Sequence, residues 1–143
     1  MIERLLTTPR LPPSTDPITG VQSKDVLISP DHETKSRIFL PKINPEDPPQ
    51  KLPLIVYIHG CGFCIGSPIN IVTHSFLTPL VSQTPVVAIA VGYRLALENP
   101  LPTAYHDYWA AFQWIASHAT RSGPDLGSMI MWINDYVATN HHV

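Results

Sequence analysis

Two uninterrupted apolar runs limit what this chain can fold into. Leu54–Ile58 (LIVYI) and Val86–Val91 (VVAIAV) contain no polar residue between their ends, apart from one tyrosine hydroxyl. A strand with one wet face alternates apolar and polar residues, whereas a continuous run fits a strand covered on both faces. Between the runs, Ile69–Gln83 has helical spacing at Val72, Phe76 and Leu80, with Pro79 inside it. After the second run comes the clearest helical pattern, Thr103–Ala119. There Tyr105, Tyr108, Trp109, Phe112, Ile115, Ala116 and Ala119 share one face, and Thr103 stands where an N-cap belongs. Strand, loop, helix, strand, helix is the rhythm of an α/β fold with a parallel sheet.

The region ahead of these runs is built differently. Ten of the 16 prolines precede Leu54. Strand-like pieces lie between them: Ser23–Ser29 and Ser36–Pro41, joined by the hairpin-like SPDHET, with a polar proline loop at Asn44–Lys51. They are expected to form an antiparallel addition at one edge of the sheet. The stretch after Gly123-Pro124 shows no clear period, and there is no internal repeat.

Composition excludes several classes of function. A net charge of −2, with 14% charged residues, gives no basic patch for nucleic acid. The N-terminus lacks an apolar core of signal-peptide length, and no apolar run is long enough to span a membrane. Two cysteines three residues apart are not a disulfide framework. A soluble cytoplasmic protein is the expectation, with no nucleic-acid or membrane partner.

The chemistry centres on His59-Gly60-Cys61-Gly62-Phe63-Cys64, which leaves the end of the first apolar run. In α/β folds this is where ligands sit. Glycines let the backbone adopt conformations closed to other residues, and successive free amides can hold an anion or an oxyanion. A tight turn without a ligand fits the spacing equally well. Cys61-x-x-Cys64 could be a redox pair, but that motif opens a helix directly, and here Ile65-Gly66-Ser67-Pro68 intervenes. A zinc site drawn from His59, Cys61, Cys64 and His74 has no recognised spacing. Ordinary loop thiols are the simpler reading, with no metal and no cofactor.

The loop resembles the H-G-G-G oxyanion motif of the hormone-sensitive-lipase-like esterases, in the α/β-hydrolase fold. PPSTDPITGVQSKDVLISP, RIFLPK, KLPLIVYIHGCGFCIGS, VVAIAVGYRLALENPLPTAYHDYWAAFQWIASHA and WINDYVA are similar to the plant carboxylesterase family over about residues 3–138. That family includes ester hydrolases, a dehydratase branch and the non-hydrolytic gibberellin receptors. The resemblance implies the N-terminal half of an α/β-hydrolase, with a mostly parallel sheet and an antiparallel N-terminal edge. Residues 1–138 would be a partial domain and residues 139–143 a tail outside the family pattern.

The resemblance also implies site roles. The amides of Cys61 and Gly62 would face the substrate carbonyl oxygen, with His59 and Gly60 supporting the loop. Cys61 departs from glycine, which is neutral at negative φ and costs about 1–2 kcal/mol at positive φ. Tyr93–Pro100 matches Y-R-L-A-P-E-x-P, with Leu97 in place of proline; Arg94 and Glu98 would pin that segment. Asp107 fits an acidic position, and His106 stands where glutamate is usual. Pro79 is expected to break a helix that relatives complete, because an interior proline costs about 3 kcal/mol.

Hydrolysis in this family needs a serine on a G-x-S-x-G elbow, followed by Asp and His. The sequence contains no G-x-S-x-G, and His141 and His142 sit where the elbow strand should begin. The expectation is therefore a carboxylesterase-type serine hydrolase by family, truncated before its nucleophile, without catalytic residues and inactive as it stands. The alternative is a small-molecule binding module of the gibberellin-receptor type. A small ester is the substrate expected by family, and self-association through an exposed strand edge at Leu54–Ile58 is the other expected contact.

Overall fold

The computed structural model describes residues 3–4, 7–32, 34–47 and 52–119. The expectations for residues 120–143, including WINDYVA, His141, His142 and the 138/139 boundary, lie outside the described residues. Among the described residues, four strands and two α-helices follow in chain order: β1 (Gln22–Leu27), β2 (Lys35–Leu40), β3 (Leu54–Ile58), α1 (Ile71–Gln83), β4 (Val87–Val91) and α2 (Thr103–Ala119). All four strands lie within a residue or two of the sequence reading.

They form one mixed sheet in the order β1-β2-β4-β3. β1 and β2 make the antiparallel N-terminal hairpin, joined through a 3-10 turn at Pro30–His32. β2 pairs antiparallel with β4, and β4 pairs parallel with β3 from Leu54↔Val87 to Ile58↔Val91. The crossover between the parallel pair is α1.

Strand periodicity sorts side chains into two cores. Val87 and Ile89 point to one face with Val26, Ile38, Leu40, Leu52, Trp114 and Ile115 of α2. Ala88 and Ala90 point to the other, with Val21, Phe39, and Leu77 and Val81 of α1. The result is helix, sheet, helix. Buried across the hairpin, Arg37 faces Asp25 directly, with Nε 2.6 Å from Oδ1, and its Nη2 donates to the Leu11 carbonyl at 2.6 Å.

Both helices turn a different face to the core from the one their spacing suggested. In α1 the buried residues are Thr73, Leu77, Thr78 and Val81, while Val72 and Phe76 are more than half exposed. In α2 the buried side is Ala104, Asp107, Ala111, Trp114 and Ile115; Tyr105, Trp109 and Phe112 are exposed. Asn70 fixes the register of α1 by accepting the Thr73 amide at 2.9 Å as N-cap. Thr73 then donates its hydroxyl to the Ser67 carbonyl at 2.9 Å.

Pro79 does not break α1, which continues to Gln83. The carbonyl freed by the missing N–H belongs to Ser75. Ser75 and Pro79 are both exposed, so water can satisfy that carbonyl. Thr103 is not the cap of α2 either. The amides of Tyr105 and His106 both bond the Pro102 carbonyl, which makes Pro102 the capping position and Thr103 the first helical residue.

Candidate active site

β3 and β4 are parallel, so their C-terminal ends open on the same rim of the sheet. Two loops leave that rim: His59–Ser67 after β3, and Gly92–Pro102 after β4. Their side chains interlock. The His59 ring is buried and stacks on Tyr93, with centroids 4.3 Å apart and planes 17° from parallel. The Tyr93 hydroxyl donates to the His59 carbonyl at 2.9 Å and lies 3.2 Å from His59 Nδ1. Burial lowers the basicity of His59 and raises the pKa of Tyr93, so both are uncharged near neutrality. Gly66, at φ +106°, lies against the His59 ring so closely that a Cβ would collide with Nδ1. His59 thus acts as packing beneath the loop.

Above it, Cys61, Gly62 and Phe63 have successive φ values of +75°, +62° and +64°. Three left-handed residues in a row make one turn, closed by the Cys64 amide donating to the Cys61 carbonyl at 3.2 Å. Two of the three carry a Cβ, at about 1–2 kcal/mol each. Cys61 therefore falls on the strained side of the glycine replacement. Phe63 offsets part of this by packing edge-on against Tyr93 and Tyr105, 6.2 and 5.7 Å between centroids. Among the described residues, none accepts a hydrogen bond from the amides of Gly60, Cys61, Gly62 or Phe63. Gly60 and Gly62 have open space where a Cβ would point, with nothing within 4 Å. The sequence-predicted residues His59, Gly60, Cys61 and Gly62 are thus adjacent at the rim: a buried ring below and free amides above.

The second loop is pinned twice. Arg94 grips Asp107 of α2, with its amide 2.8 Å from Oδ2 and Nη2 2.8 Å from Oδ1. Burial works against ionisation of Asp107, but the bonds and charge of Arg94 outweigh it and hold the carboxyl below its ordinary pKa. Glu98 is held by Arg4, Nη1 to Oε1 2.6 Å. Leu97, exposed at φ +80°, has a conformation that a proline locked near −65° could not adopt, so this replacement changes the backbone.

Arg4 is the residue that sequence reasoning missed. Its Nε donates to the Cys64 carbonyl at 2.7 Å, and Nη2 reaches the Ala96 carbonyl at 3.3 Å. One guanidinium thereby ties the turn after β3 to the loop after β4. No local signal marks it, because its partners lie 60 to 94 residues away. Among the described residues, no group of three or more His, Cys, Asp or Glu side chains is arranged to hold a metal ion. No described helix is long and apolar enough to cross a membrane.

A mixed sheet between two helix layers, with an open glycine-containing turn at the end of a parallel strand, defines an α/β protein with a rim site. A family model for the alpha/beta hydrolase fold matches residues 55–137, and the chain belongs to that family. Its similarity is to plant carboxylesterases. It is 44% identical over 136 residues to probable carboxylesterase 1 of Arabidopsis thaliana, covering 94% of this chain and 41% of that protein. It is 47% identical over 130 residues to tabersonine synthase of Catharanthus roseus, covering 90% of this chain and 38% of that one. Among solved structures, an esterase of Pyrobaculum calidifontis superposes with a TM-score of 0.55 at 30% identity, over 74% of this chain and 33% of that one. The chain thus spans roughly two fifths of the length of these curated relatives.

Proposed function

We propose that His59–Gly62 is the oxyanion-stabilising part of a carboxylic-ester hydrolase site. The amides of Cys61 and Gly62 are the donors; His59 and Gly60 support them. The observation that carries this reading is the left-handed turn at the rim shared by two parallel strands, whose amides have no acceptor among the described residues. Attack on an ester carbonyl leaves negative charge on its oxygen. Fixed N–H groups about 2.7–3.1 Å from that oxygen stabilise it, and one such donor is worth about 10²–10³ in rate.

The sequence as it stands has no serine on a G-x-S-x-G elbow, so the chain by itself supplies no acyl-enzyme route. It is expected to hydrolyse short p-nitrophenyl esters no faster than a boiled control. A chimera completed with the C-terminal part of a related carboxylesterase is expected to be active. In that chimera, an ester in place of the Gly62 amide (glycolic acid at that position, introduced by semisynthesis) removes one N–H and leaves the positive φ of the turn accessible; kcat should fall about 10²–10³ while KM holds. A chimera that is active and indifferent to that amide-to-ester change, with an unchanged thermal melt, overturns the assignment. A second proposal concerns the open edge of β3, which we expect to drive self-association of the chain.

A further inference from the structure

We propose that Cys61 and Cys64 are a dithiol that hydroperoxides oxidise to an intramolecular disulfide across the oxyanion turn. Both are free thiols, Cys61 exposed and Cys64 half-buried. They are first and last of the hydrogen-bonded turn, Cys64 N to Cys61 O at 3.2 Å. That closure brings the Cα atoms within about 7 Å, at the upper end of the range a disulfide spans, about 4.4–6.8 Å. A redox C-x-x-C on a helix exploits the same i, i+3 neighbourhood. Here the left-handed turn supplies that neighbourhood without a helix, through the successive positive φ values at Cys61, Gly62 and Phe63.

The turn is held at its exit, which keeps the thiols together. Arg4 binds the Cys64 carbonyl, and the Ala96 amide donates to the Phe63 carbonyl at 2.7 Å. The Cys64 thiol itself folds back over the turn and donates to the Gly62 carbonyl at 3.3 Å. The pair thus has the arrangement of a redox sensor, an accessible attacking thiol beside a resolving one.

The Cys61 thiolate attacks one peroxide oxygen; an S–O bond forms, the O–O bond breaks, and hydroxide leaves as water, or as an alcohol from an organic hydroperoxide. The Cys64 thiolate then attacks the sulfenic sulfur; the S–S bond forms, the S–O bond breaks, and water leaves. Two thiols are oxidised by one electron each and the peroxide is reduced by two. A bridge there would also constrain the amides of Cys61 and Gly62. That consequence rests on the reading under Proposed function; the bridge does not.

The test is thiol mass spectrometry on the full chain treated with hydrogen peroxide, and it involves no ester. Both thiols are expected to disappear together, giving a monomer lighter by two hydrogens and a peptide cross-linked between Cys61 and Cys64. Dithiothreitol should reverse the change. Bridge formation should be several-fold faster in native buffer than in concentrated urea. Cys64→Ser should leave Cys61 as a sulfenic acid that dimedone traps. Independent oxidation of the two thiols, disulfide-linked dimers as the main product, or equal rates in native buffer and urea would overturn the proposal.

Discussion

β3 and β4 are apolar pentapeptides side by side in parallel register, yet every residue of β4 is buried and every residue of β3 is only partly buried. The less covered strand is the one with the larger side chains, LIVYI against VAIAV. Burial here follows position in the sheet. β4 lies between β2 and β3, and its small Ala88 and Ala90 let α1 come close. β3 has one strand neighbour among the described residues. Beside it Phe76 stays 55% exposed while touching Tyr57, ring centroids 5.5 Å apart. A run of apolar residues therefore identifies a strand without saying how much each position stabilises the fold.

Substitutions can break or sharpen that contrast. The largest effect is expected at the centre: Ile89→Ala should cost about 4 kcal/mol and Ile55→Ala about 2, read from urea midpoints. Equal costs would mean that β3 is covered as fully as β4 in solution. Arg37→Ala, which leaves Asp25 unpaired beneath the hairpin, should cost about 3 kcal/mol. At the rim the sign reverses. Cys61→Gly removes left-handed strain and should raise stability by about 1 kcal/mol, seen as a higher melting temperature. No gain would place the strain elsewhere in the turn.

A smaller effect is a pH slope. Burial lowers the basicity of His59 and of His74, where the charge of Arg37 adds to it. Unfolding returns both rings to about 6.5, so the unfolded chain takes up more protons as the pH falls through that value. Stability is then full above about pH 7 and declines as the pH falls below the unfolded value of about 6.5. His74→Phe should flatten the decline in urea midpoints across that window; an unchanged slope would assign it to His59 alone. Val56→Lys on β3 is read for association rather than for stability: Val56 packs against the core of Ile89, Trp114 and Ile115, so a charge there should itself cost about 1–3 kcal/mol. Its distinct effect should appear in sedimentation velocity, as a shift from associated species toward folded monomer. Association that survives Val56→Lys would move the contact off that edge.

The strands were legible because period two and continuous apolar runs are local signals. The helices were legible as helices, but not by face. α1 is apolar at Val72 and Phe76 as well as at Leu77 and Val81, and its polar buried residues, Thr73 and Thr78, give no hydrophobic cue. In α2 the side packed on the sheet includes Asp107, whose burial depends on Arg94 from the preceding loop. The strain at Cys61 could be posed from sequence as two outcomes, but choosing between them needed the φ angle. The site's four consecutive residues stand together in the chain and so were visible. Arg4 was not, because its role exists only after the chain has folded back on itself.

That folding back bears on the order in which the protein is made. A chain leaves the ribosome N-terminus first. The β1–β2 hairpin joins residues 12 apart and can pair early. Arg4 must wait for Glu98, 94 residues later, and closing that longer separation costs about 2 kcal/mol more in chain entropy. Arg4, made before all four strands, is thus fixed only after them. Until Arg4 docks, the turn at Cys61 hangs on the His59–Tyr93 stack, the Ala96–Phe63 hydrogen bond and the packing of Phe63. A nascent chain would carry its sheet before its rim, and anything fused ahead of Arg4 would act on the turn from the far end of the sequence.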